Sequence, residues 1–451
     1  MSNNIPTNST TISFREKVAY GLGDTSANIF MGLTMMFLTV YYTDVFELNP
    51  AVMGTLFLVT RIIDAISDPL IGAVADRNKT KLGHYRPWLL WGAIPYGISC
   101  VAVFFTPDLS ETGKIIYAYV TYIALILTFS VVVVPYVSLL GVLTSDANER
   151  IKINAVRFPL AKTAYLLCSV AIPAVLASFD NQVVGYRVVM TAIGILCTIL
   201  VLVCFFGTKE RVDFQYSENI SFAKQFKFLM KNEQALMIFA AQISVMIMNT
   251  LKYGSAAYFV KYVLQQPTSY LPWFLGAASI AGIIAPFIGS YLLDKKMVNR
   301  VQLLIVAQAA AAVLSISMFF VSPELIMFQT VLFVISILAH EIPTIVGWAT
   351  ISDCADYGEY RDGVRINALI GGGMLFSTKL GMAIGGALIG YVLAYYDYKP
   401  DMAITADSDF TFGMMLLMAI IPAICHAVAS FIFSRYKLTD DYLLKMNKST
   451  K

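Results

Sequence analysis

Two aspartates, Asp64 and Asp68, lie four residues apart in a stretch of the chain that otherwise reads as a membrane-spanning helix. This stretch, residues 51–74, is long enough to cross a hydrocarbon core, which needs about 20 apolar residues. A spacing of four places both carboxylates on one face of a helix. Ionisable groups at that depth usually face a bundle interior or a wet cavity, where they bind ions, protons or polar solutes.

Pro69 adds a further ligand to this pair. A proline has no N–H to donate to the carbonyl four residues earlier, so the carbonyl of Ala65 loses its helical hydrogen bond. Two carboxylates and a free carbonyl are hard oxygen ligands, which suit a small cation or a proton. The pattern predicts that Asp64 and Asp68 bind a cation, with a structural ion pair between helices as the alternative.

Lys379 lies midway along another apolar stretch, near 367–394. An unpaired ammonium there is costly, so the lysine needs an anionic partner. Asp64 and Asp68 are the natural candidates, because a pair across a central cavity can exchange its lysine for a cation. The alternative is that Lys379 only neutralises a structural carboxylate.

Further charged residues in apolar stretches are candidates for substrate contacts. Glu341 precedes Pro343, which frees a backbone carbonyl and makes a second polar kink. This kink suits substrate hydroxyls, or else Glu341 pairs with Lys252. Asp24 lies one helical turn from Asn28 on the same face of the first apolar stretch.

The composition gives the class of protein. Hydrophobic residues make up 58% of the chain and charged residues 14%, against about 25% charged in soluble domains, and the mean hydropathy is +0.69. We therefore expect an all-α polytopic membrane protein. The hydrophobic runs predict twelve transmembrane helices, called spans 1 to 12, near 18–43, 51–75, 87–106, 115–144, 156–178, 188–207, 234–262, 269–293, 301–321, 325–352, 367–394 and 411–434.

Basic residues are concentrated in alternate loops, and the positive-inside rule places those loops and both termini in the cytoplasm. The polar leader lacks the apolar core of a signal peptide, so we expect it to be retained. The net charge of +3 reflects this sidedness and gives no reason to expect nucleic acid as a partner. The six cysteines lie in or beside apolar runs, and we expect no disulfide.

The longest polar stretch after the leader separates six spans from six. Residues 69–79 read PLIGAVADRNK and residues 286–296 read PFIGSYLLDKK, a short internal repeat at half-chain distance. We therefore expect an amino-terminal six-helix bundle at 1–207, a central cytoplasmic loop at 208–233, a carboxy-terminal bundle at 234–435 and a cytoplasmic tail at 436–451.

Charged residues near the predicted cytoplasmic ends are candidates for a gate. Opposite charges after span 2 suit a latch between neighbouring helices, although a plain positive-inside loop explains them equally well. The candidate gate residues are Asp76, Arg77, Arg86, Asp353, Asp356 and Arg365.

Six segments spread over the chain resemble the glycoside–pentoside–hexuronide:cation symporters of the major facilitator superfamily. The resemblance implies twelve spans in two six-helix bundles, alternating access, and uptake of a sugar or glycoside with sodium or a proton. The segments are EKVAYGLGD (16–24), YYTDVF (41–46), GTLFLVTRIIDAISDP (54–69), ADRNKTKLGHYRPWLLWG (75–92), SDCADYGEYRDGVR (352–365) and KLGMAIGGALIGYVLA (379–394).

The resemblance also implies roles for individual residues. The family's cation-binding aspartates match Asp64 and Asp68, with Ser130 as the nearby hydroxyl, and Lys379 belongs to the same charged cluster. Two sugar-binding aspartates of the melibiose carrier are replaced here by Asn28 and Val133. Losing carboxylates removes repulsion against an anionic sugar.

Arg157 matches a substrate-contacting arginine of the family. With Lys252 as a second cation, it favours a pentoside, a glucuronide or another acidic glycoside over melibiose. Trp348 and Phe129 are candidate stacking surfaces for the sugar ring.

The sequence therefore predicts a monomeric, multi-pass plasma-membrane symporter that needs no cofactor beyond its coupling ion, Na⁺ or H⁺. Its histidines, His84, His340 and His426, are too scattered for a metal centre or a catalytic triad, so we expect no enzyme. Two alternatives stay open, namely a cation-coupled lipid or lysophospholipid symporter and a sugar receptor that does not transport.

Overall fold

The computed structural model describes residues 11–77, 80–144, 147–212, 222–363, 366–400 and 409–449. Over these ranges the secondary structure is helical, and the β-type pairing found there is a single isolated bridge between Thr80 and Gly83. The helices that coincide with the twelve predicted spans are, in order, Phe14–Met36, Pro50–Arg77, Arg86–Val103, Glu111–Leu143, Ala147–Leu166, Gln182–Gly207, Glu233–Gly254, Leu271–Asp294, Arg300–Phe320, Ile326–Glu341 with Thr344–Asp362, Asn367–Tyr395, and Asp409–Met415 with Ile421–Ser434.

Shorter elements extend several of these helices or lie outside them. Short α-helical pieces, π-helical turns and a 3-10 turn lengthen spans 1, 5, 7, 8 and 12, whereas two helices follow spans 6 and 12. These elements are Leu38–Val40, Tyr41–Val45, Leu167–Ala171, Ile172–Leu176, Phe222–Lys231, Ala256–Tyr258, Phe259–Val263, Thr268–Tyr270, Leu416–Ile420 and Asp440–Ser449.

Ten helical segments within the described ranges are long and apolar enough to cross a membrane, and they coincide with predicted spans 2 and 4 to 12. Helices Phe14–Met36 and Arg86–Val103 occupy the predicted spans 1 and 3. The all-helical, multi-span class predicted from composition is thus confirmed. The number of twelve membrane crossings stays a prediction, because it depends on these two helices.

The residues group into two compact units. Unit 1 comprises Met1–Gly32, Ile62–Cys168 and Phe179–Ser217. Unit 2 comprises Leu33–Arg61, Ser169–Ser178 and Glu218–Lys451. The chain passes from one unit to the other within spans 1, 2 and 5, and the predicted boundaries at 1–207, 208–233, 234–435 and 436–451 stay a prediction.

Spans 1 and 7 end in the same way, which extends the internal repeat. Each closes in a π-helical turn, Tyr41–Val45 or Phe259–Val263. Two residues after each turn, the backbone has a positive φ, 55° at Glu47 and 52° at Gln265. Residues other than glycine rarely adopt this left-handed backbone conformation. Its occurrence at both positions therefore indicates that spans 1 and 7 share a local structure, which the sequence repeat at 69–79 did not reveal.

Glycines allow the span 11 helix Asn367–Tyr395 to pack against the span 7 helix Glu233–Gly254. A Cβ added to Gly381 would lie 2.6 Å from the carbonyl oxygen of Ile243, and one on Gly385 would lie 3.0 Å from the carbonyl oxygen of Ile247. Backbone atoms cannot rotate out of the way as a side chain can. The two helices therefore approach at a distance that only glycine permits.

We expect the substitution Gly381→Ala to destabilise the protein, because overpacking a close contact costs about 1–3 kcal/mol. Gly372→Ala is the matched control on the same helix, since its Cβ would meet no atom within 4 Å and alanine favours a helix over glycine by ~1 kcal/mol. Thermal unfolding in detergent should show a lower midpoint for Gly381→Ala and an unchanged or higher one for Gly372→Ala. Equal midpoints would contradict the packing argument.

Candidate cation and sugar site

The Asp64 carboxylate is the centre of the candidate cation site in unit 1. It lies on helix Pro50–Arg77 and is 3% exposed. Ser130, buried on helix Glu111–Leu143, donates its hydroxyl to Asp64 Oδ1 at 3.3 Å. The Ser67 hydroxyl donates to the backbone carbonyl of Asp64 at 3.4 Å. Two helices thus bring a carboxylate and a hydroxyl together inside an apolar environment.

Asp68 lies one turn further along the same helix and is half-buried, with its Oδ1 atom inaccessible to solvent. Pro69 follows it, yet the helix continues to Arg77. The missing N–H of Pro69 leaves a backbone carbonyl without its helical donor between the two aspartates. Carboxylate, hydroxyl and carbonyl oxygens are the ligands that hard monovalent or divalent cations prefer.

A search of the described residues finds no group of three or more His, Cys, Asp and Glu side chains that could hold a metal ion. The oxygens available for a cation at this position are those of the Asp64 and Asp68 carboxylates and of the Ser130 hydroxyl.

Asp24 and Arg157 form an ion pair in unit 1, with Arg157 Nε 3.5 Å from Asp24 Oδ2. Asn28 donates its side-chain amide to the Asp24 carbonyl at 2.8 Å. The guanidinium of Arg157 lies over the ring of Phe158 at 4.8 Å. Its Nε is buried and makes no hydrogen bond to any described residue. Asp24, Asn28 and Arg157, all predicted as sugar contacts, are therefore neighbours. The Arg157 Nε–H is a buried donor that could bind an oxygen of the sugar.

The two predicted stacking residues lie in different surroundings. Phe129 is 6% exposed and stacks on Phe30, with 3.9 Å between ring centroids, and Tyr96 packs against both rings. Its face is already covered by an aromatic neighbour. Trp348, on helix Thr344–Asp362 of unit 2, is 48% exposed and keeps an open face.

Three more predicted site residues belong to unit 2. Lys379 is half-buried on helix Asn367–Tyr395, and its pairing with Asp64 and Asp68 stays a prediction. Lys252 is fully buried and donates to the hydroxyls of Ser315 and Ser336. Glu341 accepts a hydrogen bond from Thr344 at 2.9 Å. Lys252 therefore pairs with serines, not with Glu341.

The loop after span 2 is held by Glu210, a residue that sequence reasoning missed, and the latch predicted there stays a prediction. The Glu210 carboxylate accepts hydrogen bonds from the backbone N–H groups of His84, Tyr85 and Arg86, at 2.8, 2.8 and 2.9 Å. Gly83, at φ 113°, leaves room for it, since a Cβ there would overlap the carboxylate. An acidic side chain at a helix N-terminus also complements the helix dipole.

The other gate candidates are partly described. Arg86 donates to the Phe205 carbonyl at 3.0 Å. Asp353 accepts from Arg300 at 3.0 Å, and Arg300 also contacts Asp440 at 3.2 Å. Asp356 is half-buried on the same helix as Asp353. Arg365 and the side chains of Asp76 and Arg77 lie outside the described residues.

A hydrogen-bonded network that we had not expected joins the ends of spans 1, 7 and 11 within unit 2. Asp44 accepts from Thr43 at 2.7 Å and from Tyr398 at 2.9 Å. Thr43 also hydrogen-bonds Tyr258, and Tyr398 lies 3.0 Å from the hydroxyl of Tyr262. The signal in the sequence was the aromatic-rich pair of segments 41–46 and 258–264 ahead of prolines at similar spacing.

Comparison with known proteins identifies the family of the chain. The family model for MFS/sugar transport proteins matches residues 19–440. The chain is 39% identical to a protein of Escherichia coli (strain K12) provisionally named glycoside/cation symporter YagG, over 96% of this chain and 93% of that protein. It is 36% identical to the inner membrane symporter YicJ of the same organism, over 96% and 94%, and 30% identical to its glucuronide carrier protein homolog, over 95% and 93%.

Among solved structures, the chain is similar to a D-xylose-proton symporter, with a TM-score of 0.62, 14% identity, and coverage of 94% of this chain and 96% of that one. At this identity the likeness concerns the fold alone. The match of the family model over most of the chain, together with these relatives, shows that the chain belongs to the MFS/sugar transport protein family.

Proposed function

We propose that this protein is a secondary active transporter that couples the entry of sodium or a proton to uptake of a sugar or glycoside by alternating access. The observation that carries the proposal is the buried Asp64 carboxylate with the Ser130 hydroxyl 3.3 Å away, in a chain of a sugar-transport family. A buried carboxylate is costly in an apolar span unless it holds a cation or a proton. The relative provisionally named as a glycoside/cation symporter supports both ligands.

The coupling follows from charge neutralisation. A cation bound by Asp64 and Asp68 removes the negative charge from the span and so stabilises the state that binds sugar. Thermodynamic linkage then requires that sugar raises the affinity for the cation by the same factor. Lys379 takes the place of the cation in the empty carrier, where it neutralises the same carboxylates.

The sugar contacts we propose centre on Arg157, with Asp24, Asn28 and Trp348 as partners. The buried Nε of Arg157 is a donor that suits a sugar hydroxyl or carboxylate oxygen. Because Asp24 already offsets the charge of Arg157, a neutral pentoside leaves the pair intact, whereas a glucuronide competes with Asp24 for the guanidinium. The relative named as a glucuronide carrier homolog supports the acidic class.

Alternating access requires contacts that hold in one state and break in another. The network of Thr43, Asp44, Tyr258, Tyr262 and Tyr398 joins the ends of spans from both halves of the sequence within unit 2. Hydroxyl–hydroxyl and hydroxyl–carboxylate bonds can exchange for bonds to water at modest net cost. We assign this network to closure of the side that the basic-residue pattern places outside.

We also propose a location, an oligomeric state and an orientation for the protein. We place the protein in the plasma membrane as a monomer with both termini in the cytoplasm, acting as a transporter and not as an enzyme. The coupling ion is its only inorganic requirement, so no cofactor is needed.

Gradient-driven uptake in proteoliposomes tests this proposal. We expect wild-type protein to accumulate a radiolabelled glycoside against its gradient when either a sodium or a proton gradient is imposed. Asp64→Cys and Asp68→Cys should abolish accumulation while equilibrative exchange remains, because they remove the charge that the cation neutralises. Concentrative uptake by both variants would contradict the proposal.

Ser130→Ala provides a graded version of that test. Because the Ser130 hydroxyl oxygen lies beside Asp64 and would coordinate a sodium ion bound there, its removal should raise the sodium concentration for half-maximal uptake about tenfold. Ser138→Ala is its matched control on the same helix, because the Ser138 hydroxyl donates only to the Val134 carbonyl in the described residues.

Asp24→Asn tests the sugar contacts. Removing the counter-charge of Arg157 should raise the ratio of glucuronide uptake to neutral glycoside uptake about tenfold, since an unpaired guanidinium attracts an anionic sugar more strongly. Asn28→Asp adds a carboxylate one turn along the helix and should shift the ratio the opposite way. Competition uptake with both sugar classes measures the ratio, and a ratio unchanged in both variants would remove these residues from the sugar site.

A further inference from the structure

Six buried polar residues in the carboxy-terminal half form a cluster that has no role in the transport mechanism proposed above. They come from four helices, Glu233–Gly254, Arg300–Phe320, Ile326–Glu341 and Ile421–Ser434. We call them the Lys252 cluster, and its members are Lys252, Gln308, Ser315, Ser336, His340 and His426.

Lys252 is 0% exposed, and its contacts are with neutral groups. Its Nζ lies 2.8 Å from the Ser315 hydroxyl and also hydrogen-bonds Ser336. Phe333 contributes only a ring face, 5.9 Å away. Within the described part of the chain, no carboxylate lies within 4 Å of this nitrogen. Burying an ammonium group without an anion costs free energy, and this cost favours the neutral amine.

The hydroxyls around Lys252 suit a neutral amine. Ser336 donates its own proton to the Phe333 carbonyl at 2.7 Å, so it accepts from Lys252. Ser315 makes no other hydrogen bond among the described residues, and its O–H can donate to the lone pair of a neutral Nζ. When a proton binds that lone pair, the Ser315 hydroxyl turns and becomes an acceptor. The same three side chains therefore hold either protonation state.

Gln308 links the two histidines of the cluster. Its Oε1 lies 2.7 Å from His426 Nδ1, and its Nε2 lies 3.4 Å from His340 Nδ1. Since an amide oxygen only accepts and an amide nitrogen only donates, His426 carries its proton on Nδ1 and His340 carries its proton on Nε2. His426 Nε2 is then a bare acceptor. It is buried and makes no hydrogen bond to a described residue, in a side chain that is 1% exposed.

The charged and titratable groups around the cluster are few. His340 lies beside His426, with 5.5 Å between the ring centroids, and Ser336, a hydrogen-bond partner of Lys252, lies one turn before His340 on the same helix. Glu341, beside His340, has its carboxylate on the Thr344 hydroxyl. Helix Asn367–Tyr395, which also packs on helix Glu233–Gly254, contributes Lys379, a cation that offers no counter-charge. The cluster therefore contains two proton acceptors, Lys252 Nζ and His426 Nε2, that share a neutral surrounding.

We propose that the Lys252 cluster is a second proton-binding site, separate from Asp64 and Asp68, which takes up one proton from water and returns it during the transport cycle. The proton binds the lone pair of Lys252 Nζ or of His426 Nε2, and its charge prevents a second proton from binding the other. The site makes transport respond to pH whichever cation drives it.

The three histidines of the chain make a direct test possible, because selective ¹⁵N-histidine labelling gives signals from His84, His340 and His426 alone. Between about pH 5 and 8.5, where histidine and neighbouring groups titrate, the ring signals of His426 should move with one midpoint. In Lys252→Met only one of the two acceptors remains, so that midpoint should fall, while the His426 signals should move by the full amplitude of a ring protonation and not by a part of it. Lys261 is an exposed lysine of the same span, and Lys261→Met should leave the midpoint and the amplitude of the His426 signals unchanged.

A flat His426 signal in the wild type, or the same midpoint and the same amplitude in Lys252→Met, would overturn the proposal. Lys252→Gln keeps hydrogen bonds to the serines but takes up no proton, so it should give the same result as Lys252→Met. It serves as the test variant if Lys252→Met fails to fold.

A transport assay, which rests on the proposed function, gives a second readout. The rate of glycoside exchange by the Asp64→Cys variant should still depend on pH. The double variant Asp64→Cys, Lys252→Met should lose this pH dependence. Absence of any exchange would count against the proposed function, whereas exchange with the same pH profile in both variants would count against the second proton site alone.

Discussion

The burial of the Asp64 carboxylate inside an apolar helix is the constraint on which the rest of the structure depends. Its charge cannot be solvated by lipid, so other helices must supply oxygen and hydrogen-bond partners. Ser130 provides one such partner from helix Glu111–Leu143. We propose that a bound positive charge completes this site and that charge neutralisation then selects one conformation of the carrier over another.

The other buried polar groups follow the same rule, each with a different local solution. Asp24 and Arg157 compensate each other as an ion pair. Glu210 is satisfied by three backbone N–H groups at the start of helix Arg86–Val103. Among the described residues, the hydrogen-bond partners of Lys252 are two serine hydroxyls. These differences support the roles proposed above, since a paired charge suits specificity, a capped carboxylate suits structure, and a charge with neutral partners suits a change of protonation.

Composition and hydrophobic period were sufficient to place the helices, because a span needs about 20 apolar residues whatever it packs against. The same reasoning found Asp64 and Asp68, since a charge in such a span is conspicuous. It could not find Glu210, whose partners lie 124 to 126 residues away, or choose serines over Glu341 for Lys252. Those contacts depend on how helices distant in sequence pack, and the π-helical turns of spans 1 and 7 depend on the same packing.

Reciprocal binding tests the central claim of this account most directly, that cation and sugar are coupled through the aspartate pair. The affinity of purified wild-type protein for the cation would be measured by calorimetry with and without saturating glycoside, and the affinity for glycoside with and without saturating cation. The account predicts that both affinities rise by the same factor, and that Asp64→Cys reduces this factor to one for each ligand. Cation affinity that is unaffected by glycoside in the wild type would contradict it.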